Sequence, residues 1–570
     1  MIDEVVPGVY RLRDTCNVYV LRAGREATLV DFGSGAVLER LEELGIDRVT
    51  DVVVTHHHRD QIQGLARAAA AGVRIWAPPV ERELIDDVDR HWLMRPLDDD
   101  YDLREDRFSL LEPVEVTGVA AEYRVQRYGG VELFALPTPG HTIGSVTYLA
   151  EVGGRSLAFV GDLIYGNGKL WSLAATQWTY TGAEGQIATS ISLALLADRR
   201  PDLLLPSHGD PIGETAPAIT HTRERLSGLI SLRREDDWDF DDWFRNPWQE
   251  LSPHLLRSRT SMATSYLLRS ESGRSLLVDW GYDIWTGSPL GADRASKRPL
   301  LTTLEGMNVD IVLTTHYHDD HVAGINLLRD VHGTEAWIPE NVAPILADPR
   351  QHDLPCLWFD PVAADRVLPL GEPIAWEEYE LTLYPLPGHT RYAVAIAVEV
   401  DGRRVLFTGD QQTGLPHLLP NYQYKNRFGI DDYVASAKLY VELRPDLILG
   451  GHSPPIEVDD AVLAQLRETG DCVAALHREL LPPERVEARI EPYRSIIARG
   501  EAFELDVVVE HGEAEVDLVA SEGWAVERVS PTRFRVTAGD APVRRARIAA
   551  DVAVAGIRYG QIAEALVDVT

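Results

Sequence analysis

Seven histidine and aspartate side chains recur in a fixed order in the C-terminal half of the chain. The stretch TTHYHDDHVAG and the later motifs PGHT, TGD and GGH supply His316, His318, Asp320, His321, His389, Asp410 and His452. Each group follows a short apolar run typical of a buried strand, so the side chains are expected at strand ends, where ligands of α/β sheets gather. Imidazole and carboxylate are the ligands that divalent ions such as zinc prefer. A lone histidine is more often a structural polar residue, but seven such groups in order predict a site for two metal ions.

The N-terminal half repeats the same landmarks, which indicates a duplicated domain. TLVDFG, TPGHT and FVGD reappear as LLVDWG, LPGHT and FTGD, so that Asp31, His141 and Asp162 each have a counterpart 248 positions later. Short β-branched runs followed by helical stretches predict a layered α/β fold for each copy.

The first copy departs from the pattern at one position. Its motif THHHRDQIQG contains His56, His58 and Asp60 but has Gln61 where the second copy has a histidine, while His141, Asp162 and His208 are present. A neutral amide is a poor zinc ligand, so the second ion should be weakly held or absent. Either the remaining groups hold one ion, or this copy is a degenerate scaffold. His57, between two ligands on an alternating segment, is expected to point away from the site.

The order HxHxDH, PGHT, GD and a final GH resembles the metallo-β-lactamase superfamily, which includes the glyoxalase II and lactonase enzymes. The resemblance covers residues 1 to about 475 and implies an αββα sandwich for each copy. It implies that one metal is held by His316, His318 and His389 and the other by Asp320, His321 and His452, with Asp410 bridging. Asp320 and Asp410 are thus the expected catalytic residues, around a metal-bound hydroxide that acts as the nucleophile. Asp279 and Asp319 are expected to support the ligands, with an ordinary turn carboxylate as the alternative for Asp279.

The predicted fold is α/β, with two αββα sandwiches followed by a small all-β domain for which an immunoglobulin-like arrangement is one option. The predicted domains are residues 1–225 with the incomplete motif, a linker at 226–249, residues 250–478 with the complete motif, and a β-sandwich at 485–570. The last boundary follows from a change to alternating apolar and polar residues interrupted by Gly, Pro and Asp.

The net charge of the chain limits the classes of partner that we expect. The formal net charge is −34, which disfavours nucleic acid and anionic membranes, and favours a small-molecule substrate. Three dispersed cysteines and an acidic N-terminus without an apolar stretch predict a cytoplasmic protein that lacks both disulfides and a membrane anchor. Whether the chain forms a homo-oligomer stays open.

The favoured function is metal-dependent hydrolysis of a small ester, thioester or lactone, mainly by the second copy. Zinc is the expected cofactor, with two ions in the second copy and one or none in the first. The alternatives are an iron-dependent oxidoreductase of the persulfide dioxygenase type and a non-catalytic metal-binding scaffold. An insert after each bridging aspartate could roof the cleft or form a packed aromatic loop; its candidates are Trp178, Tyr180, Glu184, His417, Asn421, Tyr422, Tyr424 and Lys425.

Overall fold

The computed structural model describes residues 2–89, 92, 108–178, 183–232, 240–283, 304, 306–413, 418–482, 485–510 and 512–570. These residues form two compact units. The first contains the described residues up to Pro247 together with Asp283, and the second contains Trp248–Tyr282 and the described residues from Leu304 onward. Tyr180 and His417, both candidates for the roof of a cleft, lie outside the described residues.

The first unit is built on two mixed β-sheets. The seven-stranded sheet runs in chain order through β1 (Ile2–Val6), β2 (Val9–Arg13), β3 (Asn17–Ala23), β4 (Glu26–Val30), β5 (Arg48–Val53), β6 (Arg74–Ala77) and β7 (Gly118–Val119). In the five-stranded sheet, neighbouring strands also follow one another in the chain. They are β8 (Val125–Tyr128), β9 (Val131–Pro137), β10 (Val146–Val152), β11 (Arg155–Gly161) and β12 (Leu203–Pro206). Pairing is antiparallel except for β4 to β7 and for β11 with β12, which are parallel.

Apolar side chains on both faces of these sheets produce four layers. Tyr19 and Phe159 meet edge to face between the two sheets, with ring centroids 5.3 Å apart. The outer face of the first sheet packs against helical Ile62 and Leu65, and the outer face of the second packs against the long helices. The α-helices among the described residues of this unit are Arg59–Ile62, Leu65–Ala70, Glu83–Asp86, Glu184–Asp198, Thr215–Ser231 and Phe240–Arg245. The helix Thr215–Ser231 runs through residue 225, at which the sequence placed the end of the domain.

The second unit repeats this plan. Its seven-stranded sheet comprises β13 (Trp248–Ser252), β14 (Leu255–Ser258), β15 (Tyr266–Arg269), β16 (Ser275–Val278), β17 (Val309–Leu313), β18 (Glu335–Pro339) and β19 (Arg366–Leu368). The facing sheet comprises β20 (Pro373–Trp376), β21 (Tyr379–Pro385), β22 (Val394–Val400) and β23 (Arg403–Gly409). After a small hairpin of β24 (Gln412–Thr413) and β25 (Leu419–Pro420), it is completed by β26 (Leu447–Gly450) and β27 (Ile456–Glu457).

Helices again cover the outer faces of the second pair of sheets. They are Asp319–Val322, Ile325–His332, Ala343–Ala347, Asp432–Leu443 and Asp460–Leu480. The last is capped at its N-terminus by Asp459, whose side chain accepts a hydrogen bond from the Val462 N–H, and it buries Leu463 and Leu466 against the sheet. None of the helices in the described part of the chain is both long and apolar enough to cross a membrane.

The C-terminal residues fold as two packed four-stranded sheets. One has the order β28 (Glu487–Glu491), β30 (Ala502–Glu510), β33 (Arg533–Thr537) and β32 (Ala525–Arg528); the other has the order β29 (Arg494–Ile497), β35 (Ile557–Val569), β34 (Val543–Val554) and β31 (Ala514–Val519). Alternate residues such as Leu505, Val507 and Val567 are buried in one shared core. The predicted fold class, two layered α/β sandwiches followed by an all-β region, is therefore confirmed.

Candidate metal centres

The first cluster of the second unit gathers at the ends of β17 and β23 and in the PGHT turn. His316, His318, His389 and Asp410 each offer a ligand atom within 4.8 Å of the others. His318 Nδ1 lies 3.1 Å from His389 Nε2, and His389 Nε2 lies 3.7 Å from Asp410 Oδ2. The turn depends on Gly388, whose φ is +146° and where a Cβ would lie 2.3 Å from Gln411 Nε2.

A second cluster shares Asp410 with the first. Asp320, His321, Asp410 and His452 also offer ligand atoms within 4.8 Å of one another. Asp410 Oδ1 lies 3.1 Å from His321 Nε2, and Asp410 Oδ2 lies 3.2 Å from His452 Nε2. Asp320 Oδ2 lies 3.0 Å from His452 Nε2. The structure thus brings together all seven side chains that the sequence singled out, in two groups joined by one carboxylate.

The donor set fits divalent metal ions. His316 is fully buried, and its Nε2 atom has no hydrogen-bond partner among the described residues. A buried polar atom left unsatisfied costs about 1–3 kcal/mol, which a bound cation would relieve. Three imidazole nitrogens with a carboxylate oxygen provide the four ligands of a tetrahedral zinc site. His316, His318, His389 and Asp410 would hold one ion, and Asp320, His321, His452 and Asp410 the other.

Buried partners orient the rings of His316 and His321. Thr315 donates its hydroxyl to Asp279 and lies 3.1 Å from His316 Nδ1. His321 Nδ1 lies 2.8 Å from Asp279 Oδ2, so Asp279 aims the opposite ring nitrogen at Asp410. Asp279 adopts a left-handed backbone conformation with φ of 60°. This contact supports the role that the family resemblance implied for Asp279.

Two asparagines from the segment after Asp410 orient the other rings. Asn426 is fully buried; its Oδ1 lies 3.4 Å from His318 Nε2, and its amide donates to the His389 carbonyl. His389 Nδ1 lies 2.7 Å from the main-chain oxygen of Asn421. Asn426 also accepts a hydrogen bond from the Tyr317 hydroxyl at 2.8 Å. This asparagine therefore ties two candidate ligands to the loop that carries it.

Asn426→Ala is expected to weaken zinc binding in the second unit by roughly 10–100-fold, because it removes a partner that fixes a ligand ring. Competition with a chromophoric chelator would measure the dissociation constant. Gln423→Ala, at an exposed position in the same loop, is the matched control and should leave affinity unchanged. Equal affinities for wild type and Asn426→Ala would show that Asn426 does not position the ligands.

Attraction between carboxylates and protonated imidazoles stabilises the second cluster of the second unit. Burial lowers the pKa of His452, but hydrogen bonds with Asp320 and Asp410 outweigh it and raise the pKa to about 10. Burial likewise opposes ionisation of Asp410, yet His321 and His452 bring the pKa of this carboxyl well below its usual value. By contrast, burial and neighbouring imidazoles lower the pKa of His318 to about 4. Metal binding would displace protons from His321 and His452, since only the neutral ring is a ligand.

The first unit preserves one cluster with closely similar geometry. Ligand atoms of His56, His58 and His141 lie within 4.8 Å of one another, with His58 Nδ1 3.0 Å from His141 Nε2. Asp162 Oδ2 lies 3.6 Å from His56 Nε2. The buried Nε2 atoms of His56 and His58 have no hydrogen-bond partner among the described residues. Thr55 and Asp31 support His56 as Thr315 and Asp279 support His316.

The second cluster of the first unit is altered around Gln61. Asp60, Asp162 and His208 still lie within 4.8 Å of one another. The Gln61 amide donates to both Asp60 and Asp162 at 3.2 Å, while His208 contacts Asp162 through Nδ1 and Asp60 through Nε2. Trp171 stacks on His208 with ring centroids 4.0 Å apart. The carboxylates that would bind an ion are therefore satisfied by protein donors.

The remaining candidates lie outside the clusters. His57 is paired with buried Glu81, which receives the His57 N–H at 3.1 Å, so its ring belongs to neither metal group. Trp178 is buried and packs with Ile143. Tyr422 packs in an aromatic cluster with Phe428, Tyr433 and His477. This packing agrees with the alternative in which the insert after Asp410 forms a packed aromatic loop. Asp319 accepts a hydrogen bond from the Tyr282 hydroxyl at 3.3 Å.

Sequence reasoning missed Thr55, Thr315 and the positioning role of Asn426. A signal for the threonines existed, because each directly precedes the first histidine of its motif in both copies. Asn426 carried no such signal, since the insert that contains it shares no sequence motif with the insert of the first copy.

Comparison with known proteins gives matches in both units. Residues 11–208 and 259–452 match the family described as the Metallo-beta-lactamase superfamily. A hydroxyacylglutathione hydrolase from Albidiferax ferrireducens is 28% identical over 187 residues, which are 32% of this chain and 58% of that protein. One from Pseudomonas putida is 27% identical over 162 residues, which are 28% of this chain and 48% of that protein. The matched segment thus spans about half the length of these curated relatives.

The chain also aligns with solved structures. A metallo-beta-lactamase variant from Cronobacter sakazakii aligns with 19% sequence identity and a TM-score of 0.32, covering 41% of this chain and 96% of that chain.

Proposed function

Because the chain belongs to the metallo-beta-lactamase superfamily, we propose that its second unit is a metal-dependent hydrolase of small esters, thioesters or lactones. The observation that carries this proposal is the pair of ligand clusters joined by Asp410, with the buried His316 Nε2 atom lacking a described partner. A cluster that served only to stabilise the fold would be expected to satisfy this atom from within the protein.

The side chains of this unit would bind and orient the reaction's cofactor. A pair of bound divalent ions lowers the pKa of water and polarises the carbonyl under attack. Asp410 would face both ions, while Asp279, Asn421 and Asn426 fix the orientation of the histidine rings around it. Because His316, His318 and His321 are buried, their geometry is set before substrate arrives, which is the condition for electrostatic preorganisation.

A thioester is the substrate class we favour. The two relatives described above are named hydroxyacylglutathione hydrolases, and a hydroxyacylglutathione is a thioester. Zinc is the proposed metal, since the donor set consists of imidazole nitrogens and carboxylate oxygens. We further propose that the first unit holds a single ion through His56, His58 and His141, supported by their geometry and by the unpartnered Nε2 atom of His56.

Removing the metal is expected to reduce thioester hydrolysis on the order of 10³-fold, because each ion supplies several kcal/mol of transition-state stabilisation. The assay compares the chelator-stripped protein, the same sample reloaded with zinc and a sample reloaded with iron(II), on a hydroxyacylglutathione thioester, 4-nitrophenyl acetate and a γ-lactone. Recovery with zinc would support the hydrolase. A metal-free protein that keeps its full rate would refute metal dependence.

A further inference from the structure

In the second unit, the PGHT turn that carries His389 is tied to the residue after the bridging aspartate. This residue is Gln411, which follows Asp410 directly and is fully buried. Its Oε1 atom accepts a hydrogen bond from the His389 N–H at 3.2 Å, and its Nε2 atom donates to the Pro387 carbonyl at 2.8 Å. One side-chain amide therefore contacts the turn on both sides of Gly388.

Both amide protons and the carbonyl oxygen of the Gln411 side chain have partners. The second proton is donated to Ser436 Oγ at 3.0 Å, and Ser436 donates its own hydroxyl to the Pro387 carbonyl at 2.5 Å. Gly388 permits this close approach, because a Cβ there would lie 2.3 Å from Gln411 Nε2. A buried amide with all of these partners keeps one orientation, so it fixes the turn relative to the helix Asp432–Leu443.

The main chain around Gln411 is anchored as well. The Gln411 carbonyl accepts hydrogen bonds from the Tyr433 hydroxyl at 2.9 Å and from the Asn421 N–H at 3.3 Å. Asn421 also donates its side-chain amide to the Asp410 carbonyl at 3.0 Å. The segment that contains the bridging aspartate is thus held in place on the side where His389 Nε2 lies 3.7 Å from Asp410 Oδ2.

Leucine replaces this glutamine in the first unit. Leu163 follows the bridging aspartate there and is buried in an apolar cluster. The PGHT turn of that unit is held by the buried Glu81 carboxylate, which accepts hydrogen bonds from Thr142 Oγ1 at 2.9 Å and from the His57 N–H at 3.1 Å. Glu81 therefore ties the turn to the histidine-rich segment, whereas a leucine side chain cannot hydrogen-bond the turn to the aspartate.

We propose that Gln411 is a positioning residue of the second unit's metal centre, which sets the relative placement of His389 and Asp410 before a metal ion binds. This proposal rests on the proposed function, since it concerns the metal centre that we assign to hydrolysis. Because the ring and the carboxylate are already placed, little rearrangement is needed for both to act as ligands of one ion. Gln411 should therefore favour metal affinity and preorganised electrostatics, although it contacts the ligands only through their segments.

Gln411→Leu, which introduces the residue of the first unit, is expected to raise the zinc dissociation constant of the second unit roughly 10–100-fold. Competition with a chromophoric chelator would measure it in the full-length His58→Ala protein, because that background removes a ligand of the ion proposed for the first unit. Gln412→Leu is the matched control, since Gln412 is also buried and accepts a hydrogen bond from the Tyr440 hydroxyl of the same helix. It should lower the melting temperature and leave zinc affinity unchanged.

Kinetics at saturating zinc give a second readout of the Gln411→Leu variant. For the best thioester, kcat should fall about tenfold while KM stays within about twofold of wild type, because misplaced ligands affect the transition state more than substrate binding. Gln411→Met keeps an unbranched side chain but loses all three hydrogen bonds, and it provides the same test if the leucine variant does not fold.

The results separate the positioning role from the hydrolase function. Unchanged zinc affinity in Gln411→Leu or Gln411→Met would overturn the positioning role, even if thioesters are hydrolysed. An equal loss of affinity in Gln412→Leu would also overturn it, since the effect would then be one of general stability. Weakened zinc binding in Gln411→Leu alone, in a protein that hydrolyses none of the substrates, would support the positioning role and refute the proposed function.

Discussion

His318→Ala is expected to lower hydrolysis of the best thioester on the order of 10³-fold, whereas His58→Ala should leave the rate within about twofold of wild type. The two histidines occupy equivalent places: each offers Nδ1 beside the PGHT histidine, at 3.1 Å in the second unit and 3.0 Å in the first. The difference arises in the neighbouring cluster. In the second unit this cluster has four candidate ligands. In the first unit the Gln61 amide donates hydrogen bonds to both carboxylates of the cluster instead.

The assay should report kcat and KM for both variants with zinc in excess, after confirming by circular dichroism and thermal melting that each is folded. Loss of activity in His58→Ala alone would show that the first unit is the catalytic one. Comparable losses in both would mean that the two centres act together. Full activity in His318→Ala would contradict the assignment of the second unit as the catalytic one.

Exchanging Gln61 and His321 is expected to move one metal ion between the two units. Gln61→His should add a zinc ion to the first unit, and His321→Gln should remove one from the second, because a neutral amide does not replace imidazole as a zinc ligand. The two side chains occupy equivalent places: the Gln61 amide lies 3.2 Å from Asp162, and His321 Nε2 lies 3.1 Å from Asp410. Asp31, the counterpart of Asp279, is available to orient the introduced ring, although it already accepts the Ser207 hydroxyl at 2.7 Å.

Zinc content per folded chain would be measured for each single variant and for the double exchange, after dialysis against metal-free buffer. Gln61→Ala is the control, since it removes the amide without supplying a ligand. If Gln61→His binds no more zinc than Gln61→Ala, then the geometry of the first unit, and not only its missing ligand, excludes a second ion.

Much of the candidate site could be predicted from the sequence because its ligands lie in short motifs at strand ends. His316, His318, Asp320 and His321 fall within six residues, so the turn after β17 and the short helix Asp319–Val322 place all four. The contacts of Asp279 were foreseeable because the repeat marks its position twice. Because both copies carry the same motifs in the same order, the sequence predicted the same layered fold for each.

The features that escaped prediction depend on contacts between distant segments. Asn426 contacts His318 across 108 positions and lies in an insert that shares no motif with the first copy, so no local pattern reveals it. A cavity of about 540 Å³, lined by Val486 and Ile562, depends on how the β domain packs on the sandwich, which alternating hydrophobicity cannot specify. The domain boundary at residue 225 stays a prediction, and the helix Thr215–Ser231 continues past it with Leu226 and Ile230 buried.

Elemental analysis of purified wild type beside Asp410→Asn tests the central claim most directly, because Asp410 alone belongs to both clusters of the second unit. The expected result is two zinc ions in the second unit and one in the first for wild type. In Asp410→Asn, only the ion in the first unit should be retained at full occupancy. A wild-type protein that binds no divalent metal after exposure to zinc, or an Asp410→Asn variant with the same metal content and affinity as wild type, would contradict it.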